Sequence, residues 1–285
     1  MTAMLTEAEQ SAAAFCADQV RTFDFPRYAT TLFTSPERRR SLLALYAFGI
    51  EIARVREHVS QPLPGEIRLQ WWLDALSGEG HGNVTDNPVA GELLHAIEAC
   101  HLPVAPLIKL IEAHRFDLYD DAMPSMPALE AYFNDAIAPL FDLAGGILGH
   151  RSDLVAHLAQ HAAIGNGYAD ILMRLPAHAS RRQMFLPEDV MHEHGAKAEE
   201  VFAGRTSPEL FAVIDHLAGE AVAHLNSAAK VLQEAPRDVR PAFLQLPLLR
   251  RQLDAMARAK YDPFHPVPAS RLGILWGIWR AARAA

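Results

Sequence analysis

The chain has 285 residues, a length that fits one large helical domain or two smaller ones. Half of the residues are hydrophobic and 21% are charged, so the apolar area is ample for a core. The formal net charge of -8 argues against nucleic acid as a generic partner, because phosphate affinity needs a basic surface.

The N-terminal region predicts a lead-in helix over residues 1–24, followed by an all-helical domain over residues 25–285. The opening MTAMLTEAEQSAAAF carries early acids and no apolar core of secretory length, so no signal peptide is expected. The two cysteines, Cys16 and Cys100, form neither a disulfide framework nor a zinc pattern. This favours a reducing, cytoplasmic location.

Helical periodicity dominates the rest of the chain. Alternating β-branched runs are scarce, and no Asn-Gly hairpin turn occurs. Apolar residues recur instead at spacings of three and four, for example along residues 42–53, 129–140 and 158–169. Proline and glycine interrupt these runs at even intervals, which predicts roughly nine or ten helices in one domain.

Two distant stretches carry recognisable motifs. Residues 36–57 read PERRRSLLALYAFGIEIARVRE, with Arg40 six residues before the Tyr46-Ala47-Phe48 triplet. Residues 165–195 read GNGYADILMRLPAHASRRQMFLPEDVMHEHG and contain Phe185-Leu186-Pro187. Shorter matches are Asn87-Pro88-Val89-Ala90 and Asp117-Leu118 followed by Leu129-Glu130-Ala131-Tyr132. By the order and spacing of these motifs, residues 25–265 resemble the squalene/phytoene synthase family.

The resemblance implies an all-α isoprenoid synthase bundle around a central apolar cavity. In that family, magnesium ions hold two prenyl diphosphates between two acid-rich helices. Magnesium is a hard cation that takes oxygen ligands, so the chemistry needs carboxylates. Carboxylates four residues apart lie on one face of a helix, and two such helices clamp the metal from both sides.

This chain departs from the family pattern at the acidic positions. Counting from Tyr46, the first pair of acids should fall at 53 and 57; counting from Pro187, the second should fall at 174 and 178. One carboxylate remains among these four positions, and guanidinium groups stand nearby. The degenerate metal-motif positions are Ala53, Arg54, Glu57, Asp170, Arg174 and His178. We therefore expect no resident metal, no catalytic residue and no ordinary head-to-head prenyl transfer.

One branch of the family has lost these acids and includes the mitochondrial complex I assembly factor of this type, along with related bacterial proteins. Residues 66–72 (EIRLQWW), 175–182 (LPAHASRR) and 260–266 (KYDPFHP) are similar to that branch. The resemblance implies a pseudoenzyme that helps to build respiratory complex I through contacts with its subunits or assembly proteins rather than through turnover. A peripheral position at the inner membrane is a further expectation. The alternative is an active prenyltransferase that joins prenyl diphosphates through magnesium bound by non-standard ligands.

Basic and aromatic residues define a candidate ligand site. Guanidinium groups pair bidentately with phosphate, so the candidates for binding an isoprenoid diphosphate or anionic lipid are Arg40, Arg174, Arg181 and Arg182. The alternative is internal ion pairing of these arginines with Glu51, Glu57 and Asp170. Candidates for the cavity wall are Tyr46, Phe48, Trp71 and Phe185.

Three further features are open to two interpretations. Asp117, Asp120 and Asp121 have the spacing of a replacement metal face, but such clusters are more typical of a solvated helix end. The histidines at 157, 161, 192 and 194 lack the acid spacing of a zinc helix, which favours singly satisfied side chains. The C-terminal run with Trp276 and Trp279 predicts a packed last helix, or a helix resting on a membrane surface in a lipid carrier.

Overall fold

Helices form throughout the described part of the chain, as the apolar spacing predicts. The computed structural model describes residues 7–80, 82–258 and 261–284, which contain fifteen α-helices. In chain order these are α1 (Glu7–Phe23), α2 (Phe25–Thr31), α3 (Pro36–Ala53), α4 (Pro62–Ser77), α5 (Pro88–Cys100), α6 (Ala105–Ala113), α7 (Met126–Ala136), α8 (Ala138–Ile147), α9 (Asp153–Met173), α10 (Leu175–Ser180), α11 (Glu188–His194), α12 (Ala198–Phe202), α13 (Pro208–Glu234), α14 (Leu246–Met256) and α15 (Arg271–Ala284).

Short 3₁₀ segments connect some of these helices, at Val55–His58, Val84–Asp86, Phe116–Leu118 and Arg237–Phe243. Within the described ranges, β pairing is limited to an isolated bridge between Ala122 and Met184. The expected all-α class is therefore confirmed.

The helices outnumber the predicted nine or ten, and proline accounts for two of the additional helices by dividing longer helical stretches. The expected continuous face over residues 129–140 breaks at Ile137, and α8 then begins with Pro139 in its first turn. Likewise α9 ends before Arg174, and α10 begins with Pro176 in its first turn. Proline lacks an amide hydrogen and clashes with the preceding turn, so it starts a new helix more readily than it continues one.

Two helix assemblies form the core. The long helix α13 packs along α9, and Gly165 allows the approach because a Cβ there would lie 2.8 Å from the Leu225 side chain. On the other side, α3 packs against α1, α5 and α8. Since α8 also contacts α9, it joins the two assemblies and leaves a cavity between α3 and α9.

The two ends of the described chain pack onto this body. Helix α1 packs against α3 and α5, and residues 1–6 of the predicted lead-in helix lie outside the described residues. Helix α15 packs against α2 and α14 and buries Ile278, whereas Trp276 and Trp279 stack on each other and stay exposed. Within the described ranges, no helix combines the length and the hydropathy that a membrane span requires.

Candidate functional site

A cavity of about 550 Å³ lies between α3 and α9, and α7, α8 and α14 contribute further wall residues. Gly49 and Gly167 stand on facing helices, where a Cβ would meet the side chains of Leu140 and Phe133 respectively. The apolar part of the wall includes Phe23, Ile50, Phe133, Ile137, Leu140, Ile171, Phe185 and Leu249.

The structure places all six degenerate metal-motif positions on this wall. Ala53 and Arg54 stand at the end of α3, and Glu57 follows in the 3₁₀ segment Val55–His58. Across the cavity, Asp170 lies in the last turn of α9, Arg174 caps that helix, and His178 lies on α10. Both helix ends therefore face one another, as paired metal-binding helices would, but with a different set of side chains.

Glu57 is the carboxylate at the centre of this arrangement. Its Oε2 accepts a hydrogen bond of 2.7 Å from Arg54 Nε, and its Oε1 accepts bonds of 3.1 Å from Arg174 Nη2 and 3.3 Å from Arg181 Nη1. Burial opposes ionisation, but the hydrogen bond from Arg54 and the charges of Arg181 and Arg174 lower the pKa of Glu57 overall. Glu57 is thus a carboxylate whose two oxygens are both engaged by guanidinium groups.

The opposite wall continues this pattern. Arg174 Nη1 also lies 3.6 Å from Asp170 Oδ2, and this carboxylate raises the pKa of Arg174 against the effect of burial. His178 packs its ring on Phe185, with centroids 4.7 Å apart. Burial, followed by the charges of Arg174 and Arg181, lowers the pKa of His178 to about 3, so the ring is neutral at physiological pH. This donor set does not fit magnesium, which needs free oxygen ligands.

Asp117 is a further carboxyl group on the cavity wall, and it is buried. Its Oδ1 accepts a hydrogen bond of 2.8 Å from the Tyr132 hydroxyl. Burial raises the pKa of Asp117, although His114 and the Tyr132 hydrogen bond act in the opposite direction. The Gln183 amide donates to the Asp117 backbone carbonyl at 3.0 Å, which ties this segment to the one before Phe185.

The three aspartates at 117, 120 and 121 do not form a helical metal face. The 3₁₀ segment ends at Leu118, and the backbone of Tyr119 is extended. Residues 117, 120 and 121 therefore do not lie on one face of a helix. Asp120 is exposed and lies 3.4 Å from Arg56 Nη2.

Two of the expected anion-binding arginines lie elsewhere, so their assignment to the cavity was wrong. Arg40 forms two hydrogen bonds of 2.6 and 2.7 Å with Glu92 on α5 and is not part of the cavity wall. Arg182 has a left-handed backbone with φ of 57°, and its guanidinium covers the Phe202 ring at 4.7 Å. Arg174 and Arg181 are the members of that set which reach the cavity.

Of the four aromatic residues expected on the cavity wall, Phe185 lines the cavity and the other three do not. Tyr46 and Phe48 are buried in the core instead, and Trp71 packs edge-on against Trp72 with centroids 5.0 Å apart. Assigning these three residues to the cavity wall was therefore incorrect.

Several polar wall residues had no sequence signal. Arg27 reaches the cavity from α2 while its guanidinium contacts Asp24 at 2.8 Å and lies over the Tyr46 and Phe141 rings. His114, Asn166, Gln245 and Gln252 also line the cavity. No local spacing marks these residues, because each comes from a different helix or connection.

Comparisons with known proteins agree with this architecture. A family model described as squalene/phytoene synthase matches residues 20–275. NADH dehydrogenase (ubiquinone) complex I, assembly factor 6 from Mus musculus is 32% identical over 252 residues, which cover 88% of this chain and 76% of the relative. Chloroplastic phytoene synthase 1 from Solanum lycopersicum is 25% identical over 271 residues, covering 92% of this chain and 64% of that protein.

The fold has solved counterparts. A crystal structure of squalene synthase from Alicyclobacillus acidocaldarius superposes with a TM-score of 0.74 at 19% identity, covering 92% of this chain and 98% of that one. The described helices therefore adopt the all-α fold of the isoprenoid synthases.

Proposed function

The chain belongs to the squalene/phytoene synthase family, and we propose that it is a non-catalytic assembly factor for respiratory complex I. The observation that carries this proposal is the engagement of both Glu57 oxygens by Arg54, Arg174 and Arg181. At the place where prenyl transfer needs metal-binding carboxylates, the chain has an internal ion-pair cluster.

Electrostatics makes this cluster a poor site for magnesium. Two like unit charges about 4 Å apart repel by roughly 4 kcal/mol at an effective dielectric constant near 20. A divalent cation beside Arg54 and Arg174 would meet more than one such repulsion, and it would have to displace a guanidinium to reach Glu57. Without the metal, only these guanidinium groups could offset the charge that a departing diphosphate develops, and they are already paired with Glu57.

The relatives support an assembly role over prenyl transfer. The mammalian relatives at 31–32% identity are assembly factors for complex I, and they are matched over 88% of this chain. The phytoene synthase relative is more distant, at 25% identity. The proposed partners are therefore subunits or other assembly proteins of the respiratory NADH dehydrogenase.

We extend the proposal to the place of action and to the cavity. The exposed faces of Trp276 and Trp279 would allow α15 to rest on the inner membrane, beside a membrane-bound partner. The cavity would hold an isoprenoid or lipid with an anionic head group, without metal. Its apolar wall suits a hydrocarbon tail, and Arg174 and Arg181, both partly exposed, suit the head group.

A turnover assay tests the absence of catalysis. Purified chain is incubated with farnesyl or geranylgeranyl diphosphate and magnesium, and diphosphate release is followed. We expect no release above the rate without protein. Magnesium-dependent release that Asp117→Asn or Asp170→Asn abolishes would instead establish the prenyltransferase alternative.

A genetic test addresses the assembly role. Deleting the gene in its native host should lower NADH oxidation by isolated membranes while succinate oxidation, the matched control, stays unchanged. Affinity capture of the tagged chain should recover NADH dehydrogenase subunits. Unchanged NADH oxidation in the deletion strain would rule out the assembly role.

A further inference from the structure

Two of the histidines expected to be singly satisfied, His161 and His194, instead pair with a histidine on another helix. His161 Nδ1 lies 3.0 Å from His224 Nδ1, which joins α9 to α13. His194 Nε2 lies 3.1 Å from His216 Nδ1, which joins α11 to α13. Both pairs therefore attach a neighbouring helix to the same long helix.

The two pairs differ in where the nearest carboxylate lies. In the second pair, the Glu193 carboxylate converges with the imidazole nitrogens of His194 and His216, and the three ligand atoms lie within 4.8 Å of one another. In the first pair, Glu130 lies 3.8 Å from Nε2 of His224, whereas His161 contacts Nδ1 of the same ring. Groups at opposite ring nitrogens cannot bind one ion.

We propose that Glu193, His194 and His216 form a binding site for a divalent ion of the zinc class. Tetrahedral zinc with bonds of about 2.0–2.2 Å places its ligand atoms roughly 3.3 Å apart. The separation of 3.1 Å between the histidine nitrogens is close to that value. The metal would replace the proton that the two imidazoles otherwise share.

The ligand types select the metal. Two imidazoles and one carboxylate suit zinc, and they disfavour magnesium, which prefers oxygen ligands alone. Both histidines are partly buried and Glu193 is exposed, so an ion can enter from solvent and keep a water as fourth ligand.

The site would fasten α11 to α13. Helix α11 begins directly after Pro187, and the preceding residues Gln183 and Phe185 line the cavity. An ion bound by Glu193 and His194 on α11 and by His216 on α13 would therefore stabilise the chain segment that forms this wall. The site is separate from the arginine cluster, and it does not depend on the proposed function.

Zinc binding to the metal-stripped full chain tests the proposal. Zinc sulfate alone is titrated into the protein by calorimetry, and thermal unfolding is followed with and without zinc. We expect one saturable site per chain and a rise in Tm that grows with zinc concentration. Magnesium chloride at the same concentration should leave Tm unchanged.

Variants identify the ligands. His194→Gln and His216→Gln should each abolish saturable binding and the rise in Tm, and Glu193→Gln, at an exposed position, should weaken binding in a folded chain. His224→Gln, which breaks the other histidine pair, is the matched control and should bind zinc as the unaltered chain does. Absence of saturable binding in the unaltered chain, or its persistence in the His194→Gln, His216→Gln double variant, would overturn the proposal.

Discussion

Arg174 Nη2 donates a hydrogen bond of 3.1 Å to Glu57 Oε1, joining two positions 117 residues apart across the cavity. By the family resemblance, both positions would hold acids that share metal ions. Here the same two walls are joined by an ion pair. The guanidinium of Arg174 thus connects the two cavity walls directly through Glu57.

Removing the charge of Glu57 should destabilise the protein. Glu57→Gln leaves Arg54, Arg174 and Arg181 without their shared counter-charge, and we expect a loss of about 1–3 kcal/mol in the free energy of unfolding. The loss should lie near the lower end of this range, because the side chains of Arg174 and Arg181 are about a third exposed and water screens their charges. Urea unfolding measures it.

The control for this prediction is Asp120→Asn, which removes an exposed partner of Arg56 and should cost less than about 0.5 kcal/mol. Pyrophosphate without magnesium should restore part of the stability of Glu57→Gln, since it would replace the missing negative charge. Equal losses in the two variants would contradict a central role for Glu57.

Rebuilding the four acidic positions should create magnesium binding. The triple variant Ala53→Asp, Arg174→Asp, His178→Asp, together with native Glu57, restores a carboxylate at each position. We expect a magnesium-dependent rise in Tm in this variant and none in the unaltered chain. The matching Asn triple variant controls for polarity. A rise of the same size in the unaltered chain would show that magnesium binds to other residues.

His178 should make stability depend on pH. The pKa of His178 is about 3 in the folded chain, against 6.5 for a solvated histidine. Below pH 6.5 the unfolded chain therefore binds a proton at this residue while the folded chain does not. The contribution of His178 is therefore complete above pH 6.5 and is lost as the pH falls toward 3. Between pH 7 and pH 5, the unaltered chain should lose about 2 kcal/mol more than His178→Gln. Parallel curves of unfolding free energy against pH would argue against this burial effect.

The ionisation of Asp117, which accepts a hydrogen bond from Tyr132, should make the stability of the protein depend on pH in the opposite direction. Because burial raises the pKa of Asp117, the unfolded chain ionises first, and stability falls as the pH rises through the folded pKa. Asp117→Asn keeps an acceptor for the Tyr132 hydroxyl and removes the charge, so it should preserve or increase stability at neutral pH. Tyr132→Phe leaves the buried carboxyl without its donor and should cost about 1–3 kcal/mol. A loss in Asp117→Asn as large as in Tyr132→Phe would contradict this assignment.

Two glycine substitutions should have opposite effects. In Gly167→Ala the new Cβ would lie 2.4–2.6 Å from the Phe133 ring, and this overpacking should cost about 1–3 kcal/mol. In Gly219→Ala the Cβ on α13 meets nothing within 4 Å, and the higher helix propensity of alanine should add about 0.5–1 kcal/mol. Thermal or urea unfolding of both variants checks the signs.

The sequence by itself determined the helical class, the family and the composition of the degenerate motif. Each depends on local spacing: apolar residues three and four apart select helices, and the distances from Tyr46 and Pro187 pointed to Ala53, Glu57, Arg174 and His178. Counting along the chain identified which residues stand at these positions. The helical repeat alone does not place them on common faces, because α3 ends at Ala53 and Glu57 lies in the following 3₁₀ segment.

Only the tertiary structure decided which partners those side chains have. Arg40 and Arg174 are both arginines within family motifs, yet one binds Glu92 in the core assembly and the other binds Glu57 at the cavity. The contact between His194 and His216 likewise depends on how α11 packs against α13. Spacing along one helix cannot supply such contacts, because the relative position of two helices depends on how side chains from the whole core fit together.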